Sequence, residues 1–280
     1  MCPQLISLCS AYAGLMDVTA RTMFTEELKA HREKTGLTQE DIAQKANVSL
    51  SLLKKIENGR RRPQRDFAVW CDEFFGSPGT FERFHRLTLL ETFPEWFASR
   101  MVYEEQASVI TEWEMRGIPG LLQTRAYAQA MIRACRPFDP EPHVVRDIDS
   151  RIERQDILSR DDPPRLWILL AEGALRQIIG DQSVMRSQLD RLIEVAGTTK
   201  CVLQVLPYNA AEAPAPGGPA SLFEFPDRSP AAYLEGWDVG WLVEDANQVT
   251  RISTTLSMIR GCALSPAESR NLMVKIRGEF

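Results

Sequence analysis

Apolar positions over the first part of this chain recur at three- and four-residue spacing, the period of helices with one buried face. Over 37–63 this pattern predicts two short helices meeting at a tight turn. Thr38 caps the first, with Asp41 favourable at its positive end, and Ile42, Ala43 and Ala46 share one face. Ala43 is small enough for a second helix to cross closely. Asn47-Val48 reads as a polar turn residue followed by a buried plug. Ser49 caps the next helix, in which Leu53 and Ile56 point inward and Leu50, Ser51, Lys54 and Lys55 are left outside. Asn58-Gly59 supplies the stop, Arg60, Arg61 and Arg62 follow, and Pro63 is expected to open a further helix. Phe67, Trp70, Cys71 and Phe74 line one face of that helix and are expected to close a first core. Gly76-Ser77-Pro78-Gly79 then breaks the chain, and a first boundary is expected there.

Helical spacing resumes with Phe81, Phe84, Leu87 and Leu90, then an aromatic cluster at 93–97 and an acidic stretch through Glu105. Ile118-Pro119-Gly120 is a turn, with a helix expected from Leu121 that Thr124 and Tyr127 decorate. An Arg- and Asp-rich helix is expected at about 141–160, before Asp162-Pro163-Pro164. From there the pattern changes. Leu166 to Leu170 is a fully apolar strand, helices are expected at 172–179 and 184–196, and strands at 201–206, 220–225, 230–236 and 239–243. Two helices close the chain at 246–262 and 266–277, the second capped by Ser265-Pro266. The expected fold class is α+β: an all-α N-terminal domain and a C-terminal mixed α/β domain with a small sheet. The expected division is an extension at 1–24, an all-α domain at 25–78, a helical connector at 79–164 and an α+β domain at 165–280. The Pro- and Gly-rich loop at 212–219 is neither helix nor inner strand, and reads as a surface connection or a lid.

Charge sharpens this division. The whole chain carries −5, but residues 25–65 hold ten Lys and Arg against six Asp and Glu, a net of +4, so the remainder carries −9. A small basic reader joined to an acidic module fits that asymmetry. The six cysteines, Cys2, Cys9, Cys71, Cys135, Cys201 and Cys262, form no close pair or framework and read as buried hydrophobes in a reducing cytoplasm. No apolar run approaches the ~20 residues of a membrane span. The opening segment lacks a basic start and a long apolar core, so no signal peptide is expected.

With its caps, small residue, turn and stop, the stretch from about 25 to 76 resembles the XRE-family helix-turn-helix of phage and bacterial repressors. The motif residues are Leu28, Arg32, Gly36-Leu37-Thr38-Gln39, Ile42-Ala43, Val48-Ser49, Ile56-Glu57-Asn58-Gly59 and Arg62-Pro63. The resemblance implies that Gln39 grips a phosphate and that Leu50, Ser51 and Lys55 touch bases, with Lys54 beside them. It also implies that Arg32 pairs with Glu57. Ser49, Asn58, Arg60, Arg61 and Arg62 complete the expected phosphate contacts, since flanking groups of this kind position a recognition helix in the major groove. Further on, Trp113-Glu114, Ile118-Pro119-Gly120-Leu121-Leu122-Gln123-Thr124 and Tyr127-Ala128 resemble a domain found behind XRE modules in actinomycete antitoxin-like regulators. That domain has no settled biochemical role. Leu170 to Ile179, Val205-Leu206-Pro207 and the terminal Ala263 to Ser269 extend the likeness over about 25–277.

The chemistry of catalysis is hard to find. His31, His85 and His143 share no helical turn, and no metalloprotease, Walker or nucleophile-elbow motif is present. Glu104, Glu105, Glu112 and Glu114 are candidates for paired carboxylates, read here as the solvated face of an acidic helix. Trp96, Trp113, Trp167, Trp237 and Trp241 fit either a core or a pocket wall. The sequence therefore predicts a cytoplasmic, nucleoid-associated regulator of transcription without cofactor or metal. Expected partners are double-stranded DNA at a pseudo-palindromic operator, a second copy of the chain, and a small companion protein or effector for the C-terminal domain. No membrane partner is expected. An antitoxin-like neutraliser and an enzyme with an appended helix-turn-helix are the alternatives.

Overall fold

The computed structural model describes residues 19–280 other than 92, 94, 211, 215 and 238; Cys2, Cys9 and most of the expected extension lie outside them. The chain forms two compact units that divide after Phe93.

Among the described residues, five helices build the first unit: α1 (Ala20–Lys34), α2 (Gln39–Lys45), α3 (Leu50–Glu57), α4 (Arg65–Phe75) and α5 (Thr80–Leu90). Phe24, Leu28, Ile42, Leu53, Ala68, Cys71 and Phe81 are enclosed in one core. Helix α4 starts at Arg65 behind an uncapped Gln64, so Pro63 lies before the helix and not within its first turn. Trp70 and Phe74 stack on each other at the edge of the core, and Phe74 stays 38% exposed. The break at Gly76-Ser77-Pro78-Gly79 is a turn between packed helices, with Gly76 left-handed at φ 66°. The Asp72 carboxylate accepts from Ser77 Oγ at 2.6 Å and from the backbone N–H groups of Phe81 and Glu82 at 3.1 and 2.9 Å. That carboxylate caps α5 from α4, so α5 stays with the first unit instead of opening a connector.

The second unit holds a six-stranded mixed sheet, ordered β3-β2-β1-β4-β5-β6. Its strands are β1 (Val109–Glu114), β2 (Arg165–Ala171), β3 (Cys201–Leu206), β4 (Ala220–Glu224), β5 (Ala231–Gly236) and β6 (Val239–Val243). Strands β1, β2 and β3 are parallel, and β4, β5 and β6 continue from β1 as an antiparallel meander. Helix α6 (Glu95–Gln106) precedes β1, and α7 (Arg125–Cys135) and α8 (Glu141–Glu153) cross from β1 to β2. Short α9 (Glu172–Arg176) and α10 (Gln182–Val195) cross to β3, and α11 (Ala246–Cys262) and α12 (Pro266–Glu279) end the chain. Period-two alternation sorts the side chains onto two faces. Ile110, Leu166, Ile168, Leu170, Phe223 and Tyr233 pack in one layer with Tyr127, Leu189 and Met273. Trp113, Leu169, Leu222 and Ala232 face the opposite way, toward Val249, Leu256 and Ile259 of α11.

Five of the six strands and both terminal helices sit where the pattern places them. Strand β1 lies inside the expected helical connector at 79–164, which carries the central strand of the sheet. Cys71 and Cys201 are buried as free thiols, whereas Cys135 is exposed.

Candidate nucleic-acid interface

The helix pair of the first unit is set by local chemistry. Thr38 and Asp41 form a reciprocal capping box, in which Thr38 N–H donates to Asp41 Oδ2 at 2.8 Å. Asn47 takes the left-handed conformation at φ 53°, and Val48 N–H donates back to the Ala43 carbonyl at 2.9 Å. Ser49 Oγ caps α3 by accepting from Leu52 N–H at 3.1 Å, which leaves its own O–H to donate outward. At the far end Gly59 is left-handed at φ 65°, and Arg60 and Arg61 N–H groups close on the Lys55 carbonyl at 2.8 and 3.1 Å.

Buried Ile42, Ala43, Leu53 and Ile56 hold α2 against α3 and fix which face of α3 looks out. Leu50, Ser51, Lys54, Lys55, Asn58 and Arg60 together line a shallow concavity of about 340 Å³ on that face. Among the described residues, Lys54, Lys55 and Arg60 make no ion pair, and no carboxylate lines the concavity. Arg61 is exposed beside them, and Arg62 is half-buried. Such a surface offers cations and one small hydroxyl to a polyanion.

Beneath it, Glu57 is wholly buried. Its carboxylate accepts from Arg32 Nε at 2.8 Å, Arg32 Nη2 at 3.3 Å and Gln39 Nε2 at 2.7 Å. The hydrogen bond to Glu57 raises the Arg32 pKa. Gln39 is thereby oriented by one amide hydrogen, and its second amide hydrogen stays available to a phosphate oxygen.

The carboxylates read as an acidic helix face lie elsewhere. Glu104 on α6 and Glu112 on β1 are almost fully buried. Arg154 grips Glu104 with two bonds of 2.6 Å, and Arg100 donates to Glu112 at 2.6 Å and to Glu104 at 3.4 Å. Glu235 on β5 stands 3.6 Å from Arg100. Burial opposes the Arg100 charge, but Glu112, Glu104 and Glu235 outweigh it and hold its pKa above the ordinary value. Burial, with Glu112 and Glu235 nearby, pushes the Glu114 carboxyl well up. Glu105 is half-exposed, paired with Arg160 at 2.9 Å. This group ties α6, β1, β5 and the end of α8 together, and sequence reading missed it because its partners are scattered. The one available signal was the alternation of Ile110, Glu112 and Glu114, which has the period of a strand.

The turn at Ile118 to Thr124 is clamped from within. Gln188 donates to the Leu122 carbonyl at 2.8 Å and accepts from Thr124 N–H at 2.7 Å, while Gln155 donates to the Gly120 and Gln123 carbonyls at 2.9 and 2.8 Å. Its polar groups are spent on the fold. Residues 216–219 of the expected 212–219 loop instead border a cleft on the α11 face of the sheet. Of the tryptophans, Trp113 and Trp241 line that cleft, Trp167 lies under the Arg260 guanidinium at 3.6 Å, and Trp237 is 92% exposed. No helix among the described residues is long and apolar enough to cross a membrane.

Two families match the chain. Residues 24–83 match a helix-turn-helix domain, and residues 97–275 match a family described as a domain of unknown function, DUF5753. No curated protein and no solved structure is significantly similar to the chain.

Proposed function

The chain belongs to the DUF5753 family and carries a helix-turn-helix domain ahead of the family domain; from that premise we propose that it is a sequence-specific regulator of transcription. The observation that carries this reading is the gathering of Ser51, Lys54 and Lys55 on one outward face of α3, with Arg60 just beyond its end, without a competing carboxylate. In operation, two copies place two α3 helices in successive major grooves of a pseudo-palindromic site, about 34 Å apart. Lys55 and Ser51 read base edges, and Gln39, Ser49, Asn58, Arg60, Arg61 and Arg62 hold phosphates. The second unit then senses a small ligand or a small protein. Its effect on DNA affinity is a coupling of about 1–3 kcal/mol, matched by an equal effect of DNA on effector affinity.

The test is selection of bound sequences from a random duplex pool with the full chain, followed by titration of the selected site at several salt concentrations. A two-fold-related motif bound as two copies per duplex is expected. Retention of duplexes without an enriched motif overturns the reading.

A further inference from the structure

On the α11 face of the sheet a cleft of about 460 Å³ opens between the 216–219 lip, strands β5 and β6, and α11. Its size falls within the roughly 300–1,000 Å³ range of small-molecule sites. Leu234, Trp241, Ile252 and Leu256 give it apolar walls. Trp113, 2% exposed, contributes to the cleft floor. One cation interrupts these walls: Arg251 lies at the cleft on α11, and its guanidinium has no ion pair among the described residues. Glu235 also borders the cleft, but its carboxylate is drawn toward Arg100 on the other face of the sheet.

We propose that this cleft binds a small aromatic carboxylate, with its ring between Trp241 and the aliphatic wall, and the anion meeting Arg251. The proposal rests on the sensing role given above to this unit. The apolar walls exclude a fully hydrated anion such as phosphate, and Arg251 disfavours a hydrocarbon. A lone cation over an aromatic-lined pocket specifies the opposite charge on a flat body. Gly218 holds the lip close: a Cβ there would stand 3.1 Å from the Glu235 carbonyl.

The probes are 1-naphthaleneacetate and its neutral counterpart 1-naphthaleneethanol, titrated into the full chain labelled with ¹⁵N. Tryptophan indole signals number six, and Trp113→Phe assigns the one of interest. Saturable naphthaleneacetate binding that moves the Trp113 indole signal is expected. Arg251→Gln, an exposed change that spares the fold, should weaken the acid about tenfold or more and leave the alcohol unchanged. Trp113→Phe should weaken both. An unmoved Trp113 signal, or equal affinity of Arg251→Gln and the native chain for the acid, overturns the proposal. The same samples are titrated with the selected duplex. Acid binding that leaves DNA affinity unchanged upholds the cleft and refutes the sensing role, whereas specific DNA binding with no indole shift refutes the cleft alone. Failure of the acid to bind, while a peptide or protein moves the Trp113 indole signal, assigns the surface to a macromolecular partner and overturns the proposal.

Discussion

Removing Glu57 should cost the first unit a large part of its stability. Its carboxylate is 1% exposed, and Arg32, which donates to it through Nε and Nη2, is 16% exposed. Glu57→Leu leaves that guanidinium nearly buried without its anion and takes the acceptor from Gln39. Breaking a buried pair from one side costs about 3–5 kcal/mol, and the residual exposure of Arg32 places this one toward the lower end. Domains are stable by only about 5–15 kcal/mol, so the loss is large against the whole. Arg32→Met strands Glu57, the more deeply buried charge, and should be at least as harmful. The double variant leaves an apolar pair of similar volume, and is expected to recover at least about 2 kcal/mol of the summed losses. Because the chain has two units, a whole-molecule melt is not a two-state measurement. Trp70 is the one tryptophan of the first unit, so a ¹⁹F-labelled tryptophan at this position reports its unfolding in urea separately. Additive losses, with no recovery in the double variant, refute the buried-pair reasoning.

Three further outcomes are expected. Lys55→Ala should weaken cognate DNA by about 1–3 kcal/mol more than random DNA, while Arg61→Ala weakens both alike and lowers the salt slope by about one; salt-dependent titrations decide, and equal losses for Lys55→Ala remove it from base reading. Burial, together with Arg62, Arg65 and Arg86, lowers the His85 pKa to about 4. The unfolded chain therefore takes up this proton first, near 6.5, so the stabilisation is complete above about pH 6.5 and declines by up to about 3 kcal/mol toward pH 4. An imidazole NMR titration with a midpoint near 6.5 in the folded protein contradicts it. Arg100→Leu strands Glu112, while Arg154 still holds Glu104, and should lower the stability of the second unit by about 3 kcal/mol or more, read from the Trp113 resonance in urea, with the Trp70 transition unmoved.

The helix pair was legible because its signals are local. Thr38, Ser49 and Gly59 announce starts and stops within three residues of the groups they satisfy. The terminal helices and most strands were legible through spacing alone. Strand β1 was not, because Glu112 and Glu114 have the look of solvated residues until Arg100 and Arg154 are brought beside them by other elements. The attachment of α5 was hidden for a similar reason: Asp72 reaches across a glycine-rich turn that otherwise signals a boundary. The cleft depends on Trp113, the 216–219 lip and α11 meeting across the sheet, and no spacing in the sequence announces that.

The charge carried by β1 also makes that strand self-correcting. Val109 lies opposite Arg165 on one side and Glu224 on the other, so neither neighbour is close along the chain when β1 is made. A strand slipped by one residue turns every side chain over, which would thrust Glu112 into the apolar layer of Leu169 and Leu222. Only the proper register delivers Glu112 to Arg100, and Arg100 belongs to the helix immediately upstream. Helix and strand therefore emerge from synthesis already carrying the check on each other's alignment. The parallel and antiparallel halves of the sheet thus meet on a central strand whose register is tied to the helix before it.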